Sequence, residues 1–98
     1  MLAAPEVAPP DLLLDDGARL LCAIPRVREG HLLQVDIDAD LLPGAPVHLM
    51  TWRVGDAPLF ELDARVLGNS GHRVALRLLR PHALDLDVLD ALCKEGSG

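Results

Sequence analysis

The stretch LFELDARVLGNSGHRVALRL, residues 59–78, decides the fold of this 98-residue chain. Apolar residues alternate with charged ones on both sides of a glycine-containing turn at Gly68–Gly71. A period of two is typical of a strand that buries one face, and a short turn makes consecutive strands antiparallel neighbours. We therefore predict a β-hairpin whose core-facing side chains are Phe60, Leu62, Ala64, Val66, Val74, Leu76 and Leu78.

Three further strands are predicted before this hairpin. Residues 31–38 alternate in the same way, and residues 18–24 and 47–54 are mostly apolar. Short turns that contain glycine or proline separate consecutive strands, which again indicates antiparallel pairing. In residues 31–38, the side chains predicted to share the core-facing side are His31, Leu33, Val35 and Ile37.

A helix is predicted to follow the last strand. Between Leu84 and Lys94 the apolar residues fall on one helical stripe, and acids in the first turn with Lys94 in the last suit the helix dipole. Five short strands in about 80 residues are too few for two full sheet layers. We therefore expect a mainly β fold, a small five- to six-stranded antiparallel barrel with a C-terminal α-helix.

The length suits one domain, which we divide into three parts. Residues 1–16 are predicted to form an acidic, proline-containing N-terminal arm, of which only Leu12–Leu14 could lie against the rest of the chain. Residues 17–94 form the barrel with its helix, and residues 95–98 form a tail.

Composition disfavours several classes of protein. A formal net charge of −6 argues against nucleic acid as a partner, because a nucleic-acid-binding domain carries a basic face. No apolar run approaches the about 20 residues of a membrane-spanning helix, and no secretory signal is visible, so we expect a cytoplasmic protein without membrane insertion. Cys22 and Cys93 are predicted to be free thiols, with Cys22 buried in its apolar run. No motif predicts a catalytic site, a metal site or a cofactor.

Between Leu41 and Leu92, strands, turns and helix follow one another in an order known from a protein family. Leu42-Pro43-Gly44 leads into a strand, Phe60–Val66 precedes the glycine-rich turn, and His72–Leu78 precedes the helix. In this order the chain resembles the C-terminal two-thirds of a PilZ domain, over roughly half of its own length. The resemblance implies a PilZ-like barrel.

The resemblance does not extend to the motifs with which PilZ domains bind cyclic di-GMP. Those domains carry Arg-x-x-x-Arg before the first strand and Asp/Asn-x-Ser-x-x-Gly near the end of the second, because guanidinium groups hold phosphates and stack on guanine. Residues 14–17 contain no arginine here, and in residues 36–41 only Asp36 matches the second motif. The resemblance therefore implies a degraded nucleotide site. It implies a non-catalytic signalling or protein-interaction module, of the kind linked to bacterial motility, pilus or surface regulation.

Three alternatives stay open, one of which is a metal-dependent hydrolase built on Asp36, Asp38 and Asp40. A genuine cyclic di-GMP receptor could use a rearranged site of Arg26, Arg28 and Asp36, because both arginines lie in the first hairpin near that motif. The chain could instead be an unrelated acidic β-barrel adaptor or chaperone.

Asp36, Asp38 and Asp40 have the initial spacing of a calcium loop, but its glycine and its final glutamate are replaced, so we interpret these acids as a solvated strand end.

Contacts with a protein partner, or with a second copy in a homodimer, are predicted on two apolar faces. If alternate residues of strand 47–54 point inward from Val47, then Met50 and Trp52 form an outward face; in the opposite phase Trp52 belongs to the core. The second face is the helix stripe of Leu84, Val88 and Leu92.

A basic strip is predicted on the last two strands. Arg65, Arg73 and Arg77 occupy outward positions there, as do the acids Glu61 and Asp63. We favour a cross-strand ladder of ion pairs between these groups, with an anion site as the alternative.

Overall fold

The computed structural model describes residues 12–52 and 58–97, in which the chain forms six strands and one helix. The elements are β1 (Leu12–Asp15), β2 (Leu20–Glu29), β3 (Leu32–Ile37), β4 (Pro46–Trp52), β5 (Pro58–Ser70), β6 (Arg73–Leu78) and α1 (Ala83–Ser97). Neighbouring strands are antiparallel, and the order β1-β2-β3-β6-β5-β4 is closed because β1 also pairs with β4. The predicted fold class, a small antiparallel barrel with a C-terminal helix, is confirmed.

Two hairpin turns depend on glycine. Gly30 follows β2 with a φ of 61°, and Gly71 follows β5 with a φ of 63°. These values lie in the left-handed region, which glycine adopts without the steric penalty of a Cβ atom. The loop between β4 and β5 falls on residues 53–57, which lie outside the described residues.

Alternate side chains of the strands fill the barrel. The core positions predicted in β3, β5 and β6 are buried, with two exceptions: His31 is exposed in the turn before β3, and the side chain of Phe60 lies outside the described part. The helix contributes Leu89 to the same core. The large side chains that are fully buried are Leu12, Leu14, Leu33, Leu49, Leu76, Leu78, Leu89, Val35, Val66 and Val74.

The barrel begins earlier in the chain than predicted. The sequence predicts an arm over residues 1–16, of which only Leu12–Leu14 could lie against the rest of the chain, but Leu12–Asp15 forms β1 in the barrel wall, between β2 and β4. Leu12 and Leu14 are 0% exposed. A run of four residues is too short to display a strand period, and its state is decided by the surface and hydrogen bonds that two neighbouring strands supply. Residues 1–11 of the predicted arm lie outside the described residues.

β2 is longer than the predicted strand at residues 18–24. It continues through Pro25 to Glu29, with a shift of its register against β3 between Pro25 and Val27. Bulges of this kind accommodate proline, which has no N–H to donate to the ladder. Arg26 lies within this register shift and Arg28 lies just after it, so the shift determines where the two arginine side chains point.

The helix packs mainly against β2. The carboxylate of Asp85 accepts a hydrogen bond of 3.0 Å from the backbone N–H of His82, which satisfies one of the free donors at the helix start. Within the described ranges, no helix is long and apolar enough to cross a membrane.

Candidate functional site

A groove of about 630 Å³ lies on the outer face of the barrel, where β2, β3 and β6 are neighbours. Outward-pointing residues of adjacent strands form a row across it, with Asp36 standing between Ile24 on β2 and Arg73 on β6. Ser70 on β5 extends the row, opposite Arg73. The groove is lined by Cys22, Ile24, Asp36, Ile37, Asp38, Ser70, His72 and Arg73.

The part of the groove that β2 contributes is apolar and exposed. Ile24 is 47% exposed, Cys22 is exposed, and Leu20 continues the same outward face at 57% exposed. We call Leu20, Cys22 and Ile24 the β2 apolar row. The prediction that Cys22 is buried is wrong, because Leu21 and Ala23 take the inward positions of this strand.

A carboxylate between two guanidinium groups forms the charged part of the groove. Arg26 Nε donates to one oxygen of Asp36 at 2.6 Å, and Arg73 Nε donates to the other oxygen at 2.5 Å. Arg73 also donates to the side-chain oxygen of Gln34 at 3.3 Å. The hydrogen bonds from Arg73 and then from Arg26 lower the pKa of Asp36. Both oxygens of Asp36 are therefore engaged within the chain.

Arg28 takes part in a different contact. It stands opposite Leu33, which points into the core, and its side chain reaches α1 instead of the groove. Arg28 Nε and Nη2 donate to the two oxygens of Asp90 at 2.7 and 2.8 Å, and Nη1 donates to the backbone carbonyl of Gly30 at 2.5 Å. The hydrogen bond from Arg28 lowers the pKa of Asp90. This bidentate pair ties the helix to β2.

The structure thus brings together only two of the three residues in the rearranged nucleotide site. Arg26 and Asp36 form an ion pair, while Arg28 is committed to the helix. The sequence did not predict that Arg26 and Arg28 point to different places. The register shift after Pro25 changes which side of the sheet the following side chains face, and apart from the proline nothing in the sequence indicates it.

The acids after Asp36 lie on the surface. Asp38 has a side chain that is 99% exposed and lies 3.6 Å from Nδ1 of His72, and Asp40 is exposed as well. The described residues include no group of three or more His, Cys, Asp or Glu side chains that could hold a metal ion.

The predicted interface residues have different surroundings. In β4 the side chains that point into the barrel are Val47, Leu49 and Thr51, and all three are buried. Met50 lies on the outer face and is half-buried. The side chain of Trp52 lies outside the described part of the chain. On the helix Leu84 is 76% exposed.

The other two residues of the helix stripe are less exposed than Leu84. Val88 and Leu92 are partly buried and pack against the core of their own chain. The reason is that α1 docks through Leu89, and both residues lie beside it on the docked side of the helix. Part of each side chain is therefore covered by the chain itself.

The basic strip also differs from the predicted ladder. Among the residues that the structure describes, no arginine pairs with Glu61 or Asp63; their carboxylates lie 2.9 and 2.8 Å from the two ring nitrogens of His48 on β4. Hydrogen bonding to Asp63, and then to Glu61, raises the pKa of His48. A ring that hydrogen-bonds to a carboxylate at both nitrogens is best satisfied as imidazolium, which has two N–H donors.

Comparisons with protein-family models, with curated proteins and with solved structures found no match for the chain. The candidate site is therefore argued from its geometry alone. Sequence reasoning found Asp36 but missed the β2 apolar row, because an all-apolar stretch hides which residues face outward. It also missed Arg73 as a partner of Asp36, since 37 residues separate the two in the chain.

Proposed function

We propose that this chain is a non-catalytic protein-interaction module of the PilZ-like kind, whose nucleotide site is degraded. The observation that carries the proposal is the groove beside β2, where exposed apolar side chains lie next to charges that are already paired with each other. Such a surface suits an apolar side chain of a partner protein better than a ligand with two phosphates.

The arginines argue against nucleotide binding. A phosphate needs guanidinium donors that can turn toward it, but Arg26 and Arg73 share Asp36, and Arg28 holds Asp90. For its Nε to reach a phosphate, Arg26 or Arg73 would have to release Asp36, which would lose a charge-assisted hydrogen bond. The carboxylates would then also face the negative ligand.

The β2 apolar row argues for protein contact. Exposed apolar residues scattered singly are ordinary, but adjacent ones that share a groove are typical of interaction surfaces. Closure of the barrel adds a second reason: a partner cannot extend the sheet at a free strand edge, so it must bind through side chains on the outer face.

Affinity capture from a lysate of the cells that carry this protein tests the proposal with three baits. The wild-type chain should retain at least one protein that Ile24→Asp does not retain. Leu42→Asp is the matched control, because Leu42 is 77% exposed and does not line the groove. It should retain the same proteins as the wild type.

Light scattering on the purified chain identifies one particular partner. If the mass is twice the 10.5 kDa of the monomer and returns to the monomer in Ile24→Asp, the partner is a second copy. If the wild type and Ile24→Asp have the same mass and capture the same proteins, the groove is not an interaction surface and the proposal is wrong.

A further inference from the structure

Three arginines near the end of β6 have no carboxylate partner among the residues that the structure describes. They are Arg65 on β5, Arg77 on β6 and Arg80 just after β6, and we call them the unpaired arginine cluster because none has an ionic partner there. Arg65 Nη1 does donate to the backbone carbonyl of Gly44 at 3.0 Å. The other described arginines each donate to an aspartate at distances between 2.5 and 3.2 Å: Arg19, Arg26, Arg28 and Arg73. The chain has 15 acids against 9 bases, so a shortage of acids does not explain the difference.

Two features of the cluster are unfavourable for the isolated chain. Arg65 and Arg77 are direct cross-strand partners, and like charges in that position repel each other. Arg80 has a φ of 53°, in the left-handed region that a residue with a Cβ atom rarely adopts. Strained backbone of this kind concentrates at ligand-binding positions, where a bound group offsets its cost.

A concave region of about 610 Å³ adjoins the cluster. Its lining consists of His31, Glu61, Leu62, Asp63, Arg77, Leu78, Leu79, Arg80, His82 and Asp85. The three acids in this lining already have partners, because Glu61 and Asp63 hold His48, and Asp85 accepts from the backbone N–H of His82. The guanidinium groups of Arg77 and Arg80 therefore remain available to a ligand.

We propose that the unpaired arginine cluster binds carboxylate side chains in an acidic segment of a partner protein. A guanidinium group presents parallel N–H donors that match the two oxygens of a carboxylate. Carboxylates along a peptide carry one charge each at separate points, whereas a phosphate brings two charges to one point beside the three acids that line the cavity, which repel it more strongly there. Leu32, the cross-strand neighbour of Arg77, is 45% exposed and offers an apolar contact that a peptide can cover and a free anion cannot.

The inference rests on the proposed function as an interaction module, but it concerns a separate surface. The β2 apolar row belongs to the groove beside Asp36, whereas the cluster adjoins a concave region whose lining shares no residue with that groove. The two proposals therefore fail independently. Ile24→Asp should leave the binding of an acidic peptide unchanged.

Fluorescence anisotropy on the full chain tests the inference with a fluorescein-labelled peptide, Glu-Leu-Glu-Leu-Glu. Its control carries Gln in place of each Glu. The acidic peptide should bind about tenfold more tightly than the control, and its affinity should fall as salt is raised, because charges on a protein surface are screened. The double substitution Arg77→Gln and Arg80→Gln should weaken binding about tenfold. Arg19→Gln should have no effect, because Arg19 belongs to an exposed pair with Asp16 in the turn after β1.

Three results would overturn the inference: equal affinity for the two peptides, an equal loss in Arg19→Gln, or tighter binding of inorganic phosphate than of the acidic peptide. Amide chemical shifts provide a readout that needs no variant. Addition of the acidic peptide to the wild-type chain should shift the signals of Leu32, Arg77 and Arg80. Shifts confined to other parts of the barrel would contradict the proposed site.

Discussion

Substitution of Leu89 by alanine should destabilise the domain strongly, because this side chain connects the helix to the barrel core. Leu89 is 0% exposed and lies in the same cluster as the buried leucines of the strands. Truncation of a fully buried leucine to alanine costs about 2–5 kcal/mol, the larger values arising where the surroundings cannot collapse into the cavity. A closed barrel resists such collapse, so we expect about 3 kcal/mol or more. A domain of this size has a total unfolding free energy of about 5–15 kcal/mol.

Leu84→Ala is the matched control, on the same helix but with a side chain that is 76% exposed. Leucine and alanine have similar helix propensities, so the difference between the two variants reports docking rather than helix formation. Leu84→Ala should change the free energy of unfolding by less than about 0.5 kcal/mol.

Urea unfolding followed by circular dichroism at helix and sheet wavelengths measures both variants. A loss of about 3 kcal/mol corresponds to a fall in Tm of about 12–24 °C for a domain of this length, since 1 kcal/mol shifts Tm by about 4–8 °C. If Leu89→Ala costs less than about 1 kcal/mol, or no more than Leu84→Ala, then the helix is not docked on the barrel as described.

Two further predictions concern pH. The pKa of Asp36 is lowered in the folded state, so its contribution to stability is present above the unfolded value of about 3.9 and is lost as the pH falls through the folded value. Urea midpoints should therefore show Asp36→Asn less stable than the wild type at pH 7, by about 0.5–2 kcal/mol for two partly exposed pairs. This difference in the free energy of unfolding should vanish near pH 2, and Asp38→Asn should be as stable as the wild type at pH 7. A difference between Asp36→Asn and the wild type that persists in acid would contradict the pairing. The pKa of His48 is raised, so its contribution is present below the unfolded value of about 6.5 and is lost as the pH rises through the folded value. The stability advantage of the wild type over His48→Gln should be largest near pH 5.5 and should vanish at alkaline pH. It should stay below about 1 kcal/mol because the ring is partly exposed. A difference that is constant at all pH values would exclude an imidazolium between Asp63 and Glu61.

The strands whose residues alternate were predictable from the sequence. Leu33, Val35 and Ile37 in β3, and Val74, Leu76 and Leu78 in β6, are buried where the period of two places them. β1 was not predictable, because Leu12–Leu14 is a short apolar run beside acids and prolines. Its state depends on pairing with β2 and β4, which local sequence does not encode.

The candidate site was predictable only in part, for a related reason. The register that sets Asp36 opposite both Ile24 and Arg73 is a property of the assembled sheet. Arg28 and Asp90 are 62 residues apart, and nothing in either segment identifies the other as its partner. Cys22 lies in a stretch where every neighbour is apolar, so the period that would reveal its outward position is missing from the sequence.

Isothermal titration of the purified chain with cyclic di-GMP tests the central claim most directly, namely that Arg26, Arg28 and Arg73 are occupied by carboxylates of the same chain. We predict no binding at micromolar ligand concentrations, because Arg26 and Arg73 hold Asp36 while Arg28 holds Asp90. A Kd below about 10 µM would contradict the account, since about −7 kcal/mol of binding free energy requires a site that these ion pairs do not leave open.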